Sequence, residues 1–172
     1  NTMKSEYNDR ISLCYTDTDS VIVKIETDDV YADMRAKNDL YDFSDYPRDH
    51  PNYNTANKKV VGKFKDESMS AAMSGFVALR PKMYAFKMHN DDEKCTAKGV
   101  SSVTKKKDIK YQMYIDCLHE KKEMYHSQVA IRSKHHQMGV YQQVKKSLSP
   151  LDTKKWILAD GITSYAYGHY RI

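Results

Sequence analysis

Ile11-Ser12-Leu13-Cys14-Tyr15-Thr16-Asp17-Thr18-Asp19-Ser20-Val21-Ile22-Val23-Lys24-Ile25 is the stretch on which the reading of this chain turns. Ile11–Tyr15 and Ser20–Ile25 are rich in β-branched and apolar residues, and the short Thr/Asp run between them supplies polar turn residues. Two such runs so closely spaced predict an antiparallel β-hairpin that presents Asp17 and Asp19 at its turn. Carboxylates one residue apart can face one pocket if the turn breaks strict alternation, and oxygen ligands of this kind suit a hard cation such as Mg²⁺. The same residues also serve surface turns through local hydrogen bonds, so the Asp-x-Asp pattern alone leaves both readings open.

Working outward, Asp28 or Asp29 begins a change of period. Val30, Met34 and Tyr41, with Asp33, Arg35, Lys37 and Asp39 between them, predict an amphipathic helix with an acidic N-cap. Pro47, Pro51 and the Asn-rich run to Asn57 read as loop. Lys59–Phe64, Gly75–Leu79 and Lys82–Met88 predict strands that extend the sheet, with Pro81 interrupting the last two. Asn90-Asp91-Asp92 is a turn, and Lys94–Val100 returns as a strand. Ile109, Met113 and Cys117, at four-residue spacing, predict a helix from about Lys105 to Tyr125. Val129–Lys134 and Val140–Lys146, joined by residues 135–139, read as a second hairpin.

The 172 residues, 40% hydrophobic and 30% charged, are enough to bury a core. The longest apolar stretch, Ala71–Leu79, is interrupted by Ser74 and Gly75 and falls far short of the roughly 20 residues that span a bilayer, so no membrane role is expected. The chain begins at Asn1 with a strand pattern close behind, as expected of a piece of a longer protein. Cys14, Cys95 and Cys117 are odd in number and widely spaced, which points to a reducing compartment rather than to disulfides or a zinc cage. His135 and His136, if on a strand, point to opposite faces, which argues against a shared metal.

Net charge is +5, unevenly distributed. Residues 1–57 hold 6 Lys/Arg against 12 Asp/Glu, whereas residues 58–155 hold 21 against 10. An acidic lobe with an Asp pair followed by a basic lobe suits divalent cations at one end and a polyanion along the other, although charge alone fits solvated surfaces equally well.

Taken whole, Tyr15-Thr16-Asp17-Thr18-Asp19-Ser20 resembles motif C, YxDTDS, of family B DNA polymerases. Lys82-Met83-Tyr84 resembles their KxY motif, and Lys94-Cys95-Thr96-Ala97-Lys98-Gly99-Val100 is similar to the KxxKG(V/I) run leading from palm to thumb. Residues 45–51 and 62–67, with Asp160-Gly161-Ile162 and Ala166-Tyr167-Gly168-His169, resemble polymerases of polinton-type transposons and related DNA viruses, the protein-primed branch. The resemblance implies an α+β fold. Residues 1–100 would be a palm sheet remnant with the catalytic hairpin, and residues 101–172 a thumb mixing helix and hairpin.

It further implies template-directed nucleotidyl transfer to a primer with Mg²⁺ or Mn²⁺. Asp19 is then the principal metal ligand, Asp17 a weaker one, and Tyr15 and Thr18 lie beside the incoming dNTP. Lys82 and Tyr84 contact the primer end, while Lys63, Lys65 and Lys98, with the run Lys105–Lys107, are candidate phosphate contacts. The partners the resemblance implies are primer-template DNA and dNTP, with a terminal protein primer where the protein-primed branch applies. The family draws a further metal ligand from motif A and nucleotide-binding residues from motif B; neither motif occurs here, so the piece is expected to be inactive alone. Two rival readings stand beside this one. The first is a DxD glycosyltransferase, and the second a non-catalytic nucleic-acid-binding module whose Asp pair is only a turn.

Overall fold

A computed structural model describes residues 2–151 and 155–172. The chain is a mixture of short helices and small sheets, α+β at the coarse level. It divides into two compact units, one running to Ser74 and including Met88–Asp92, the other comprising Gly75–Lys87 and Glu93–Ile172. Among the described residues no helix is long and apolar enough to cross a membrane.

In the first unit, helix α1 (Thr2–Tyr7) leads into strands β1 (Ile11–Asp17) and β2 (Ser20–Ile25), which pair antiparallel from Ile11↔Ile25 to Asp17↔Ser20. Helix α2 (Val30–Ala36) starts where Asp29 accepts hydrogen bonds from the Tyr31 and Ala32 amides at 2.9 and 3.0 Å, satisfying two of the donors that a helix start leaves open. The acidic N-cap was legible in the sequence, but the helix is shorter than expected. Lys37 leaves helical geometry (φ −118°, ψ 43°), a 3-10 turn covers Asn38–Leu40, and Tyr41 stands in β3 (Tyr41–Asp42).

Tyr41 is nonetheless buried, forming with Met34, Phe43 and Tyr46 the core of this unit. Its ring stacks on Phe43 at 5.6 Å, and Phe43 meets Tyr46 edge-on at 5.3 Å. Strand β4 (Phe64–Lys65) pairs parallel with β3. The strand expected over residues 59–64 is reduced to this stub because turns occupy residues 56–59 and 61–62. The Lys59 amide is drawn instead to the buried Asp42 carboxylate, at 3.0 Å. Burial works to raise the Asp42 pKa, but bonds from the Ser44 and Lys59 amides outweigh it and hold the group below the usual range.

In the second unit, β5 (Met73–Arg80, its first two residues belonging to the other unit), β6 (Met83–Met88, its last residue likewise) and β7 (Glu93–Ala97) form a sheet in that order. This sheet is separate from β1–β2, so the single extended sheet expected from the sequence is not formed. The strand expected over residues 94–100 stops at Ala97 because Gly99 adopts φ +88°.

The helix expected over residues 105–125 is two helices, α3 (Ser102–Asp108) and α4 (Tyr111–His119). Ile109 lies between them in extended geometry (φ −112°, ψ 121°), buried in the same cluster as Tyr114 and Cys117. Met124 and Tyr125 already belong to β8 (Met124–Lys134). Strand β9 (Gln137–Leu148) completes a long antiparallel ribbon with β8. The turn is only His135-His136, both at positive φ (52° and 63°), the two-residue form whose twist suits a hairpin. The histidines therefore sit on the turn rather than on a strand, and Gln137–Gly139 belong to β9. Val77, Met83, Ala85, Ala97 and Leu148 complete the core. Strands β10 (Lys155–Ile157) and β11 (Ser164–Ala166) form a last small hairpin, where Trp156 faces Tyr165.

Candidate metal-binding hairpin and basic cleft

The β1–β2 hairpin is not regular. Leu13 pairs with Val23 and Tyr15 with Ile22, so Cys14 is an extra residue, a β-bulge. The bulge shifts the alternation by one. Leu13 keeps to the Val23 face, while Tyr15 and Asp17 move to the opposite face with Ile22 and Ser20.

At the turn, the Asp19 amide donates to the Asp17 carbonyl at 2.9 Å across Thr18, whose φ is +62°. A bond from residue i+2 back to residue i with positive φ between them is a γ-turn of the rarer, strained kind. A β-branched residue is the least comfortable occupant of that geometry. The Thr18 hydroxyl donates to Asp17 Oδ1 at 3.3 Å and the Ser20 hydroxyl to the Asp17 carbonyl at 3.2 Å. Strict strand alternation thus ends between the two carboxylates, Asp17 half-buried on β1 and Asp19 exposed on the turn.

Two carboxylates with water and phosphate oxygens are a fitting partial set for Mg²⁺, which demands about six oxygens and seldom takes all of them from protein. Among the described residues no group of three or more His, Cys, Asp or Glu side chains could hold a metal ion, so Asp17 and Asp19 bring no third protein ligand with them.

The candidate DNA contacts separate into two sets. In the first unit, the Lys63 ammonium donates to the Asp39 carbonyl, and Lys65 pairs with Asp45 at 2.6 Å, both local contacts at the surface. That pairing, chiefly its hydrogen bond, raises the Lys65 pKa. Lys82 and Lys98 in the second unit lie together. Lys82 follows Pro81 in the β5–β6 turn with φ +60°; proline first and a positive φ second is the arrangement of a type II turn. The Lys98 amide donates to the Lys82 carbonyl at 3.0 Å, which fixes the two turns side by side. Tyr84 lies on β6 opposite Thr96, half-buried, with its ring 6.0 Å from that of Phe76. On α3, Lys105 is half-buried while Lys106 and Lys107 are exposed.

Lys82 and Lys98 line one open cavity of about 520 Å³ together with Arg80, Gly99, Lys145 and Lys146. Arg80 and Lys145 were not among the residues singled out from sequence. Only the placement of β9 beside the residue 98–101 turn brings Lys145 there, and no local pattern announces it.

Compared with family models, with curated proteins and with solved structures, the chain matches none of them.

Proposed function

We propose that this chain is the C-terminal part of a family B DNA polymerase of the protein-primed branch, carrying the motif C half of the metal site and the primer-binding surface that follows it. The observation that carries the reading is the γ-turn at Thr18, which places Asp17 and Asp19 on either side of a break in strand alternation within a Tyr-x-Asp-Thr-Asp-Ser sequence. A strained β-branched residue at the centre of a motif is the kind of local cost that collects at functional sites.

In this reading Asp19 is the principal ligand of Mg²⁺ or Mn²⁺ and Asp17 supports it, with Tyr15 and Thr18 beside the incoming nucleotide. A bound ion would make the primer 3′-hydroxyl easier to deprotonate and would neutralise charge on the triphosphate. The chain's own residues position. Lys82 gives its charge to the primer strand, Tyr84 sets a ring and hydroxyl near the terminus, and Lys98 adds a cation on the adjoining turn. A terminal protein primer belongs to the same proposal. Residues 1–100 correspond to the rear of the palm and residues 101–172 to the thumb.

The deciding experiment joins the chain to its upstream coding region. Motifs A and B there, with primer extension that Asp19→Asn abolishes, uphold the reading. Their absence would leave a nucleic-acid-binding module, which the basic cleft favours because it needs no metal.

A further inference from the structure

We infer that the cleft between the Pro81-Lys82 turn, the Lys98-Gly99 turn and strand β9 holds a backbone phosphate of a nucleic-acid strand, with Arg80 and Lys145 as ligands beyond the expected Lys82 and Lys98. The inference rests on the nucleic-acid reading proposed above and assigns to it a defined anion site. Five of the residues lining the cavity are cations, namely Arg80, Lys82, Lys98, Lys145 and Lys146, and none is a carboxylate. Gathering like charges around one cavity opposes folding, and the arrangement is relieved when an anion enters.

The site is also built in advance. Lys145 Nζ donates to the Gly99 carbonyl at 2.8 Å, which anchors the side chain at the cleft, and a bond to a neutral carbonyl takes nothing from its charge. Gln128 is buried although polar. Its Oε1 accepts from the Ser101 amide at 2.9 Å and its Nε2 donates to the Gly99 carbonyl at 3.4 Å. Both strands of the ribbon therefore hold the residue 99–101 turn in place. Gly99 permits the approach twice over. Its φ is +88°, and a Cβ there would stand 3.0 Å from the Lys145 ammonium.

Lys146 differs from its neighbour, since Glu123 pairs with it at 2.5 Å. That hydrogen bond, foremost, raises the Lys146 pKa, against burial and, last, repulsion from Arg80. Arg80, whose Nε donates to Met83 Sδ at 3.4 Å, brings a planar fork suited to two phosphate oxygens at once. At about 520 Å³ the cavity falls within the range of about 300–1,000 Å³ typical of ligand sites, which suits a phosphodiester with its flanking sugars.

The test measures binding of the full 172-residue chain to a recessed primer-template and to a blunt duplex across a salt series, with inorganic tripolyphosphate as competitor. Arg80→Gln and Lys145→Gln should each weaken both duplexes at least about fivefold and lower the log–log salt slope by about 1. Lys145→Arg, which keeps the charge, should retain most of the affinity. A melting curve for each variant separates lost binding from lost folding. The double change Lys121→Gln, Lys122→Gln serves as a charge control in the same unit. If Arg80→Gln and Lys145→Gln lose no more than this control, the cleft is ordinary surface charge and the inference fails. It fails too if tripolyphosphate displaces DNA at a lower phosphate concentration than DNA itself requires, because the site is then one for free oligophosphate. Equal losses on blunt and recessed DNA uphold the cleft as a phosphate site, and a loss confined to the recessed duplex overturns it, because a backbone phosphate is common to both.

Discussion

The amide of Lys98 donates to the carbonyl of Lys82 at 3.0 Å, joining two turns that the sequence keeps apart. Lys82 belongs to the stretch resembling the KxY motif and Lys98 to the stretch resembling the palm-to-thumb run. The two resemblances thus fall on one end of one sheet, where Met83 pairs with Ala97 and both are buried in the core. Their charges share a cavity because their backbones share a hydrogen bond.

The turn of the first hairpin offers a test that needs no DNA. Thr18 occupies φ +62° as a β-branched residue, a cost of about 1–2 kcal/mol that glycine would not bear. Glycine gives back part of this through the freedom it adds to the unfolded chain. Thr18→Gly should therefore melt no lower than the parent, whereas Thr18→Val, which keeps the branch and loses the hydroxyl bonded to Asp17, should melt lower. Thermal melts of the two variants decide it. A large loss from Thr18→Gly would mean that the turn is not strained.

Charge removal at the same turn separates Asp19 from Asp17. Asp19 is exposed, so Asp19→Asn should change stability by less than about 0.5 kcal/mol. On the proposed polymerase reading, the same change in the chain joined to its upstream coding region should remove most primer extension and leave DNA binding nearly intact, with Asp17→Asn costing less. Near-normal turnover by the Asp19 variant would end the motif C assignment.

The thiols should react in the order of their exposure and environment. Cys14 is exposed, while Cys95 is half-buried, with burial first and then Glu93 pushing its thiol up to about 11. Cys117 is buried and its pKa is likewise raised by burial. At pH 8 one equivalent of a maleimide should label Cys14 alone. Because the folded Cys95 holds its proton more tightly than the unfolded one, its contribution to stability is complete below about pH 9 and disappears as pH rises toward 11. Rapid labelling of Cys95 at pH 8 would contradict its placement on β7.

Tyr114 ties α4 to the sheet. Its ring is fully buried and its hydroxyl donates to the Thr96 carbonyl at 3.0 Å. Tyr114→Phe should cost about 1 kcal/mol, and Tyr114→Ala about 3–5 kcal/mol through the cavity it leaves. Denaturant unfolding of the two variants measures both.

How much of this was legible in the sequence can be judged at Tyr41 and Ile109. Spacing marked both as core positions, and both are buried, yet neither is helical. Periodicity reports which residues must leave water. It does not report whether the chain reaches that place as a continuing helix or as an extended residue after a helix has ended, because either backbone can deliver one side chain to the core. The β1–β2 hairpin was readable because alternation and turn chemistry agree there. The bulge at Cys14 was not, since an inserted residue leaves composition unchanged. The basic cleft lay furthest from view. Arg80 and Lys145 meet only through the register of two hairpins and the Gly99 turn, which are long-range facts absent from any local window.

Lys82 and Tyr84 give the last prediction, which separates a primer-end role from general attraction to DNA. A lysine that meets only phosphate lowers affinity about equally for any duplex, whereas residues seated at a 3′ end distinguish paired from mispaired termini. Tyr84 is half-buried with its ring beside Phe76, so Tyr84→Phe keeps the packing and removes only the hydroxyl. If that hydroxyl bonds the primer, the variant should lose roughly 0.5–1.5 kcal/mol in positioning a matched terminus, seen as slower extension at unchanged melting temperature. Lys82→Ala should impair extension of a matched primer far more than it weakens binding to a blunt duplex. On the proposed polymerase reading the comparison is made in the chain joined to its upstream coding region, because extension would need a further carboxylate from motif A. Equal losses in extension and in blunt-duplex binding from both variants, with stability unchanged, would reduce Lys82 and Tyr84 to ordinary backbone contacts.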